Sequence, residues 1–304
     1  MKKALALILT ASLLTGVLTA CGSSEAQTDA AETTTEEAAA EETAAAEETA
    51  DTDAQAETGD LQVITVAVTA VPHAEILEAA KPILAEQGYD LQVTVFDDYV
   101  QPNEVVEAGD IDCNYFQHIP YLNSYNEERG THLVSVGEIH YEPIGIYAGT
   151  ESDLSNIPDG ADIAIPNDTT NEARALLILQ DNGIITLKEG AGIDATINDI
   201  AENPHNINFV EMEAAQVSKV LSEVAFAVIN GNYALDAGLN AQTDALASET
   251  SDSLAAQTYV NVVVVKEGNE DNEGVKALVN VLKSDDIKKF IEETYEGAVV
   301  PFEG

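Results

Sequence analysis

The segment from Ala161 to Gly183, ADIAIPNDTTNEARALLILQDNG, constrains the fold most, because it specifies a strand, a polar loop and a helix in unbroken order. The apolar residues before Pro166 are typical of a buried strand, which the proline ends. Thr169 and Glu172 have the spacing of a capping box, and Gly183 stands where a helix usually ends. This order of elements is the repeating unit of α/β proteins.

The same alternation recurs along most of the chain after residue 60. Strands are predicted at 61–69, 91–96, 111–115, 133–136, 139–147, 161–166, 207–212, 225–229 and 259–266. Helices are predicted at 73–87, 103–108, 120–129, 170–182, 214–222, from about 233, 273–283 and 285–294. We expect an α/β fold with parallel sheets and two lobes, 61–149 plus 258–304 and 150–257, with a cleft between them.

The first twenty residues have the pattern of a targeting segment rather than of a folded element. Lys2 and Lys3 precede an apolar run over 4–17, which is short for a membrane span, and the sequence Leu-Thr-Ala then leads to Cys21. This pattern resembles a bacterial lipoprotein signal, in which cleavage leaves a lipid-modified cysteine. An ordinary secretory signal with an incidental cysteine is the alternative.

Residues 21–60 are predicted to form a disordered acidic tether behind the lipidated Cys21. After that cysteine the stretch consists mainly of Ala, Glu and Thr, with thirteen acidic residues and no Lys or Arg. Such a composition cannot bury enough apolar surface to offset ordering. The formal net charge of −43 for the whole chain also makes nucleic acid an implausible partner. Cys113 would be the only other cysteine, so no intrachain disulfide is expected.

Residues that follow the predicted strands point to a ligand site, because ligands of α/β proteins bind beyond the carboxyl ends of strands. One half supplies aromatic and histidine side chains near Tyr99 and over 114–118, and the other supplies amides over 167–171 and 230–233. Arg174 is one of two arginines in the chain, and its position near a helix start suits a carboxylate. The competing interpretation is a surface arginine paired with a neighbouring carboxylate such as Glu172.

Several colinear motifs over residues 61–304 are similar to those of one known family. They are TAVPHAEILEAAKPILAEQGYD, FDDYVQPN, GDIDCNYFQHIPYLN, YEPIGIY, IPNDTTNEARALLILQ, EMEAAQ and AVINGNYALDAGL. Together they resemble the NlpA/MetQ family of methionine-binding lipoproteins, the substrate-binding components of ABC importers. Departures from the usual family pattern include Cys113 and Thr169.

The resemblance implies a type II-like periplasmic-binding-protein fold that holds L-methionine in its inter-lobe cleft. It implies no enzymatic activity, no cofactor and no metal, a lipid anchor on the outer face of the cell membrane, and ABC permease and ATPase subunits as partners. D-methionine, a methionine dipeptide and another apolar amino acid remain alternatives. By this resemblance, the thioether side chain of the ligand is enclosed by Tyr99, Asn114, Phe116 and His118. Arg174 binds its carboxylate, and Asn230 contacts its polar end.

Two other function classes are weighed against a binding protein. An enzyme would need a recognisable nucleophile and base, and the chain has no GxSxG, P-loop or HExxH motif. A metal-binding lipoprotein is the stronger rival, because His73 lies near Glu75 and His140 near Glu142. Two such pairs on separate segments do not have the spacing of a known metal motif.

Overall fold

The structure is a computed structural model that describes residues 61–250 and 254–304. The predicted signal peptide, Cys21 and the tether lie outside these residues. The described strands are β1 Gln62–Val68, β2 Tyr89–Val95, β3 Cys113–His118, β4 Leu133–Tyr141, β5 Gly145–Ala148, β6 Asp162–Pro166, β7 Thr186–Leu187, β8 Ile200–Glu202, β9 Asn208–Met212, β10 Phe226–Ile229, β11 Ala245–Ser248, β12 Val260–Lys266 and β13 Val300–Pro301.

Most helices lie where the sequence predicts them, but the helix Leu254–Thr258 was not predicted and the helix Ala214–Val217 is shorter than the predicted helix at 214–222. The described helices are α1 Glu75–Glu86, α2 Gln101–Ala108, α3 Ile119–Arg129, α4 Thr169–Asp181, α5 Ala214–Val217, α6 Gly231–Asp236, α7 Leu254–Thr258, α8 Glu273–Leu282 and α9 Asp285–Tyr295. Within residues 61–250 and 254–304, none of them has the length and apolar character needed to cross a membrane.

The first sheet has six strands in the order β13-β4-β12-β3-β1-β2. Strand β1 runs parallel to β2 and β3, whereas β12 runs antiparallel to β3 and β4. Alternate residues of β1, including Ile64 and Val66, face a core that α1, α8 and α9 complete. The helices bury this face because their apolar residues recur on one side.

The second sheet has five strands in the order β11-β5-β10-β6-β9. Strand β6 is parallel to β9 and β10, and β5 is antiparallel to β10 and β11. Its core packs α4 against the sheet, with Leu176 and Leu179 fully buried. Both sheets are therefore mixed, and the expectation of parallel sheets is wrong for β4, β5, β11, β12 and β13.

The chain passes from the first sheet to the second between Tyr141 and Gly145, and returns between Ser248 and Val260. The two crossings lie side by side, because the Glu249 N–H donates to the Ile144 carbonyl at 3.1 Å. Strand β5 pairs in the second sheet, although the predicted lobe boundary at 149/150 assigned its residues to the first lobe. The division of the whole chain into lobes at the predicted residues stays a prediction.

Candidate functional site

A cavity lies beyond the C-terminal ends of β3 and β10 and is lined by residues from both halves of the fold. Five of the six predicted ligand residues contribute to its wall, and Asn114 does not. The lining consists of Tyr99, Phe116, Gln117, His118, Tyr121, Glu142, Asn171, Arg174, Asn230, Gly231, Asn232 and Asn261.

Asn114 lies behind the lining and holds α2 against β3. Its side-chain amide donates to the Asn103 side chain at 2.9 Å and accepts from Gln117 at 2.9 Å. Phe116 and Gln117 line the cavity, and Asn114 lies directly behind Gln117. The structure thus places this residue in a supporting position, one step away from the predicted ligand contact.

Aromatic rings form the end of the cavity around Tyr99. The ring of Tyr99 lies 5.8 Å from Phe116, 5.6 Å from Tyr121 and 4.9 Å from Tyr233, measured between centroids. Its hydroxyl donates to the Asn232 side-chain oxygen at 2.5 Å, which leaves the ring edges as an apolar wall. Such edges suit a thioether sulfur.

Helix α4 begins with Asp168 as its N-cap, so the predicted capping box of Thr169 and Glu172 is wrong. The Asp168 carboxylate accepts from the backbone N–H of Asn171 at 3.1 Å and from its side-chain amide at 2.8 Å. Glu172 instead accepts from the backbone N–H of Ile197 at 2.9 Å. Asp and Thr side chains can both cap a helix. Asp168 is the cap here because its backbone is extended, whereas Thr169 is already helical.

The cap sets the orientation of two amide side chains in the cavity wall. Because the Asn171 amide nitrogen donates to Asp168, its oxygen is the acceptor for His118 Nε2 at 3.1 Å and for Asn230 Nδ2 at 2.7 Å. The Asn230 oxygen is consequently left buried with no hydrogen-bond partner among the described residues. A buried acceptor without a donor costs free energy, so this oxygen favours a ligand that donates to it.

His118 is a neutral imidazole with its proton on Nε2. Its Nδ1 accepts from the backbone N–H of Tyr121 at 3.1 Å, and the Asn171 oxygen faces Nε2. Burial, followed by the nearby charge of Arg174, lowers the pKa of His118 to about 3. The ring therefore contributes a fixed dipole and an apolar face to the wall, with no charge.

Arg174 lines the cavity, but its guanidinium fork faces Glu249, on the crossing back to the first sheet. Arg174 donates from Nε to Glu249 at 2.9 Å, and from Nη2 to Glu249 at 2.5 Å and to the Glu142 carbonyl at 2.8 Å. Nη1 makes no hydrogen bond within the described part of the chain. The expectation of a whole fork free for the ligand is thus reduced to one nitrogen.

The Arg174–Glu249 pair is buried, with side-chain exposures of 3% and 10%. Burial alone would raise the pKa of Glu249, yet the guanidinium holds this pKa below its usual range. The Tyr259 ring lies 4.2 Å from the guanidinium carbon and supports it by a cation–π contact. Arg174 is therefore rigidly placed, and the alternative pairing with Glu172 does not occur.

Glu142 is a lining residue that the sequence reasoning did not identify as a ligand contact. One of its oxygens, Oε1, lies 2.7 Å from His140 Nε2 and 3.3 Å from His73 Nε2. The other ring nitrogens contact hydroxyls, His73 Nδ1 that of Thr69 at 2.8 Å and His140 Nδ1 that of Tyr115. This network is satisfied when both imidazoles carry the proton on Nε2 and accept at Nδ1.

The three buried histidines, His73, His118 and His140, are all neutral near pH 7. Burial is the main cause, and it lowers the pKa of His73 to about 4 and that of His140 to about 3. Burial also raises the pKa of Glu142.

One cluster of side chains bears on the metal-binding alternative. His73, His140 and Glu142 form the one group in residues 61–250 and 254–304 whose donor atoms could hold a metal ion, all within 4.8 Å of one another. The same three groups also satisfy one another without an ion when each imidazole donates from Nε2 to the Glu142 carboxylate. Glu75, the other predicted partner of His73, accepts from the Tyr295 hydroxyl at 2.7 Å instead. The arrangement is thus satisfied as a hydrogen-bond network.

Direct contacts join the two halves of the fold around the cavity. The Tyr99 hydroxyl bonds Asn232, and the Tyr233 hydroxyl donates to the Asp97 carbonyl at 3.1 Å. Outside the cavity, Thr169 donates to Glu128 at 2.7 Å. The structure is therefore a closed arrangement, in which a ligand would be enclosed.

The sequence carried signals for some of the unassigned residues. Asn171 and Asn232 lie in the amide-rich runs that follow predicted strands, and Glu142 lies in the YEPIGIY motif. Tyr121 lies in the GDIDCNYFQHIPYLN motif, but its place in a predicted helix favoured a core position.

Comparisons with known proteins identify the relatives of this chain. Residues 64–303 match the family model described as NlpA lipoprotein. The methionine-binding lipoprotein MetQ of Bacillus subtilis is 41% identical over 250 residues, which cover 81% of this chain and 90% of that protein.

Solved structures agree with this match. A lipoprotein from Ruminococcus gnavus is 66% identical, with a TM-score of 0.79, over 80% of this chain and 100% of that one. A nutrient-binding protein from Burkholderia cenocepacia, solved bound to methionine, is 42% identical, with a TM-score of 0.74, over 78% of this chain and 99% of that one.

Proposed function

Because the chain belongs to the NlpA lipoprotein family, we propose that it is the substrate-binding protein of an ABC importer and captures L-methionine for delivery to the membrane permease. In this role it binds and releases its ligand without chemical change, and its partners are the permease and ATPase subunits. Lipid-modified Cys21 anchors it to the outer face of the cell membrane, and the acidic segment that follows spaces the binding domain from the bilayer.

The observation that carries the proposal is the combination of groups in the cavity lining. Arg174 and the unpartnered Asn230 oxygen line the cavity together with the rings of Tyr99 and Phe116, so the lining offers a cation, an acceptor and an apolar surface. An amino acid with an apolar, sulfur-containing side chain has groups that match these lining groups. Its carboxylate lies at Arg174 and its thioether at the rings.

The expected energies are sufficient for tight binding. A charge-assisted hydrogen bond contributes about 1.5–3 kcal/mol, and a sulfur–aromatic contact about 0.3–1.5 kcal/mol. Two of the former and two of the latter, with burial of the side chain, offset the cost of association and support micromolar affinity or tighter, which corresponds to about −8 kcal/mol.

Binding favours the closed arrangement because the ligand contacts both halves at once. Tyr99 and His118 belong to the first half, and Arg174 and Asn230 to the second. A ligand that contacts both halves stabilises closure by its differential affinity for that state. The closed form is the one that we expect to dock on the permease.

The test is to identify the ligand and measure its affinity. Purified protein is denatured, the released small molecules are identified by mass spectrometry, and the refolded protein is titrated with L-methionine, D-methionine, a methionine dipeptide and leucine by calorimetry. We expect one site and the tightest binding for L-methionine. Absence of binding for all four ligands would refute the proposal, whereas a preference for another of them would revise only the substrate.

A further inference from the structure

Three buried amide side chains form a hydrogen-bonded network behind the aromatic wall of the cavity, by which we mean the rings of Tyr99 and Phe116. The amide network consists of Asn103 on α2 and of Asn114 and Gln117 on β3, and of these Gln117 lines the cavity. We propose that Asn103 and Asn114 are positioning residues, which act through Gln117 to hold the aromatic wall in place for the ligand. This inference rests on the proposed function.

The amide network is closed on itself. Asn103 Nδ2 donates to Gln117 Oε1 at 3.0 Å, and Gln117 Nε2 donates back to Asn103 Oδ1 at 2.6 Å. Gln117 Nε2 also donates to Asn114 Oδ1 at 2.9 Å. Asn114 Nδ2 in turn donates to Asn103 Oδ1 at 2.9 Å and to the Pro102 carbonyl at 3.2 Å. Both amide protons of Asn114 and of Gln117 are thus used, so neither side chain can rotate without losing a hydrogen bond.

A shift of register in β3 brings two members of the network to the same helix. Asn114 and Gln117 are three residues apart, and on a regular strand such residues point to opposite faces of the sheet. Two residues of β12, Val262 and Val263, oppose the three residues 115–117 of β3. An extra residue of this kind redirects the side chains that follow it, and bulges are common next to functional sites. Gln117 therefore reaches α2 together with Asn114.

The amide network joins the two segments of the first half that carry the aromatic wall. Gln117 follows Phe116 on β3, and Asn103 lies four residues after Tyr99 in the chain. Helix α3 holds the second of these segments as well, because the Tyr121 hydroxyl donates to the Tyr99 carbonyl at 3.0 Å. The separation of the Tyr99 and Phe116 rings, 5.8 Å between centroids, is thus supported by bonds that involve no ligand.

The polarity of the network indicates a role beyond stability. Apolar side chains would pack α2 on β3 without the cost of burying amides, which is offset only when the amides are hydrogen-bonded. A fully connected polar network instead favours one arrangement of the groups that it holds. A wall that is already ordered before binding lowers the entropic cost of association. We therefore expect loss of the network to weaken the binding of the ligand side chain.

The isosteric variant Asn103→Asp tests the network at one atom. A carboxylate has no donor for Gln117 Oε1, whereas a protonated carboxyl group supplies one at the same position. Because Asn103 is fully buried, the pKa of a carboxyl group there should be raised, so that acidification restores the donor. A merely structural contact would give no such recovery of affinity.

Calorimetric titration with L-methionine at two pH values measures this recovery. Asn103→Asp should bind L-methionine about tenfold more weakly than wild type at about pH 8, and within about twofold of wild type at about pH 5. The matched control is Asn123→Asp, on the exposed side of α3, which should follow wild type at both pH values. A ratio of variant to wild-type Kd that does not change with pH would overturn the proposal.

A second variant separates the aromatic wall from the rest of the site. Asn103→Leu removes the network at similar volume, and it is titrated with L-methionine and with L-2-aminobutyrate, whose side chain lacks the sulfur and its methyl group. We expect a loss of about tenfold for L-methionine and of less than about twofold for L-2-aminobutyrate. Equal losses for the two ligands would show that the network acts through the packing of the whole fold. Asn114→Ser serves the same test if Asn103→Leu does not fold, as judged by circular dichroism.

The outcomes distinguish this inference from the proposed function. If wild type does not bind L-methionine, the proposed function fails. If wild type binds it and the folded variants of the network bind it equally well, the positioning role is overturned while the proposed function stands.

Discussion

Replacing Glu249 by Gln should lower the stability of the fold, because Glu249 is the buried charge partner of Arg174 and does not itself line the ligand cavity. The substitution keeps the shape of the side chain and removes its charge. It leaves a buried guanidinium opposite an amide, which is an expensive arrangement in a low-dielectric interior.

The size of the effect follows from the contacts of the carboxylate. Breaking a buried ion pair costs about 3–5 kcal/mol. In the wild-type structure the Tyr141 hydroxyl lies 2.6 Å from the Glu249 carboxylate. The amide oxygen of the variant can still accept from Arg174 or from this hydroxyl, so we expect the free energy of unfolding to fall by about 3 kcal/mol, the lower end of the range. For a domain of this size, a loss of 1 kcal/mol lowers Tm by about 2–4 °C, which gives about 6–12 °C.

Urea unfolding followed by circular dichroism measures this loss, with Glu293→Gln as the matched control. Glu293 pairs with Lys289 at 3.7 Å on the surface, where both side chains are 69% exposed, and its loss should be within about 0.5 kcal/mol. Because Glu249 has a lowered pKa, its contribution is present above about pH 4.3 and is lost as the pH falls through the folded-state value. Glu249→Gln should therefore show less loss of stability on acidification than wild type. A change below 1 kcal/mol at pH 7 would refute the buried pair.

Three further predictions concern the cavity. Arg174→Lys keeps a positive charge for Glu249 but removes Nη1, and Asn230→Ala removes the unpaired acceptor. Each variant should lower the affinity for L-methionine at least tenfold, as measured by calorimetry, with Arg129→Lys as the exposed control. Unchanged affinity in both variants would refute the site. Because their pKa values are lowered, the three buried histidines should keep the NMR signals of neutral imidazole down to about pH 5. For the same reason, each contributes stability that is present above pH 6.5 and is lost at about 1.4 kcal/mol per pH unit as the pH falls toward 4. Protonation of any of them near pH 6 would contradict this. Methionine at 100 times its Kd should stabilise the fold by about 2.7 kcal/mol, and a chelator should leave Tm unchanged, whereas a lowered Tm would favour a bound metal.

The local elements were predictable because their signals lie within one segment. Helix α4 follows from the helical spacing around Leu176 and from Gly183, and its range is correct within one residue. The choice of Asp168 over Thr169 as N-cap was not predictable, because both can cap and the backbone angles decide. The division of β4 from β5 was expected near residues 137–138 and occurs at Glu142–Ile144, where Pro143 cannot donate to a strand ladder.

Contacts between residues that lie far apart in the chain could not be predicted from the sequence. Glu249 lies 75 residues from Arg174, and no local pattern indicates that the two meet. Likewise, His73 and His140 were singled out with their sequence neighbours, but their meeting at Glu142 depends on how β1, β3, β4 and the crossing are brought together. Five of the six predicted site residues line one cavity, because the family motifs mark the strand ends. The position of Asn114 behind Gln117 could not be predicted, because it depends on how α2 packs against β3.

The side-by-side crossings between the sheets give the molecule a mechanical property. Glu142 lies on one crossing and Glu249 on the other, and the Ile144 backbone N–H donates to the Glu249 carboxylate at 3.0 Å. Any twist of the two connections must therefore move both carboxylates, one beside the cavity and one that orients Arg174. Because Glu142 lines the cavity and Glu249 pairs with Arg174, a displacement of either connection would reach the cavity wall at two places.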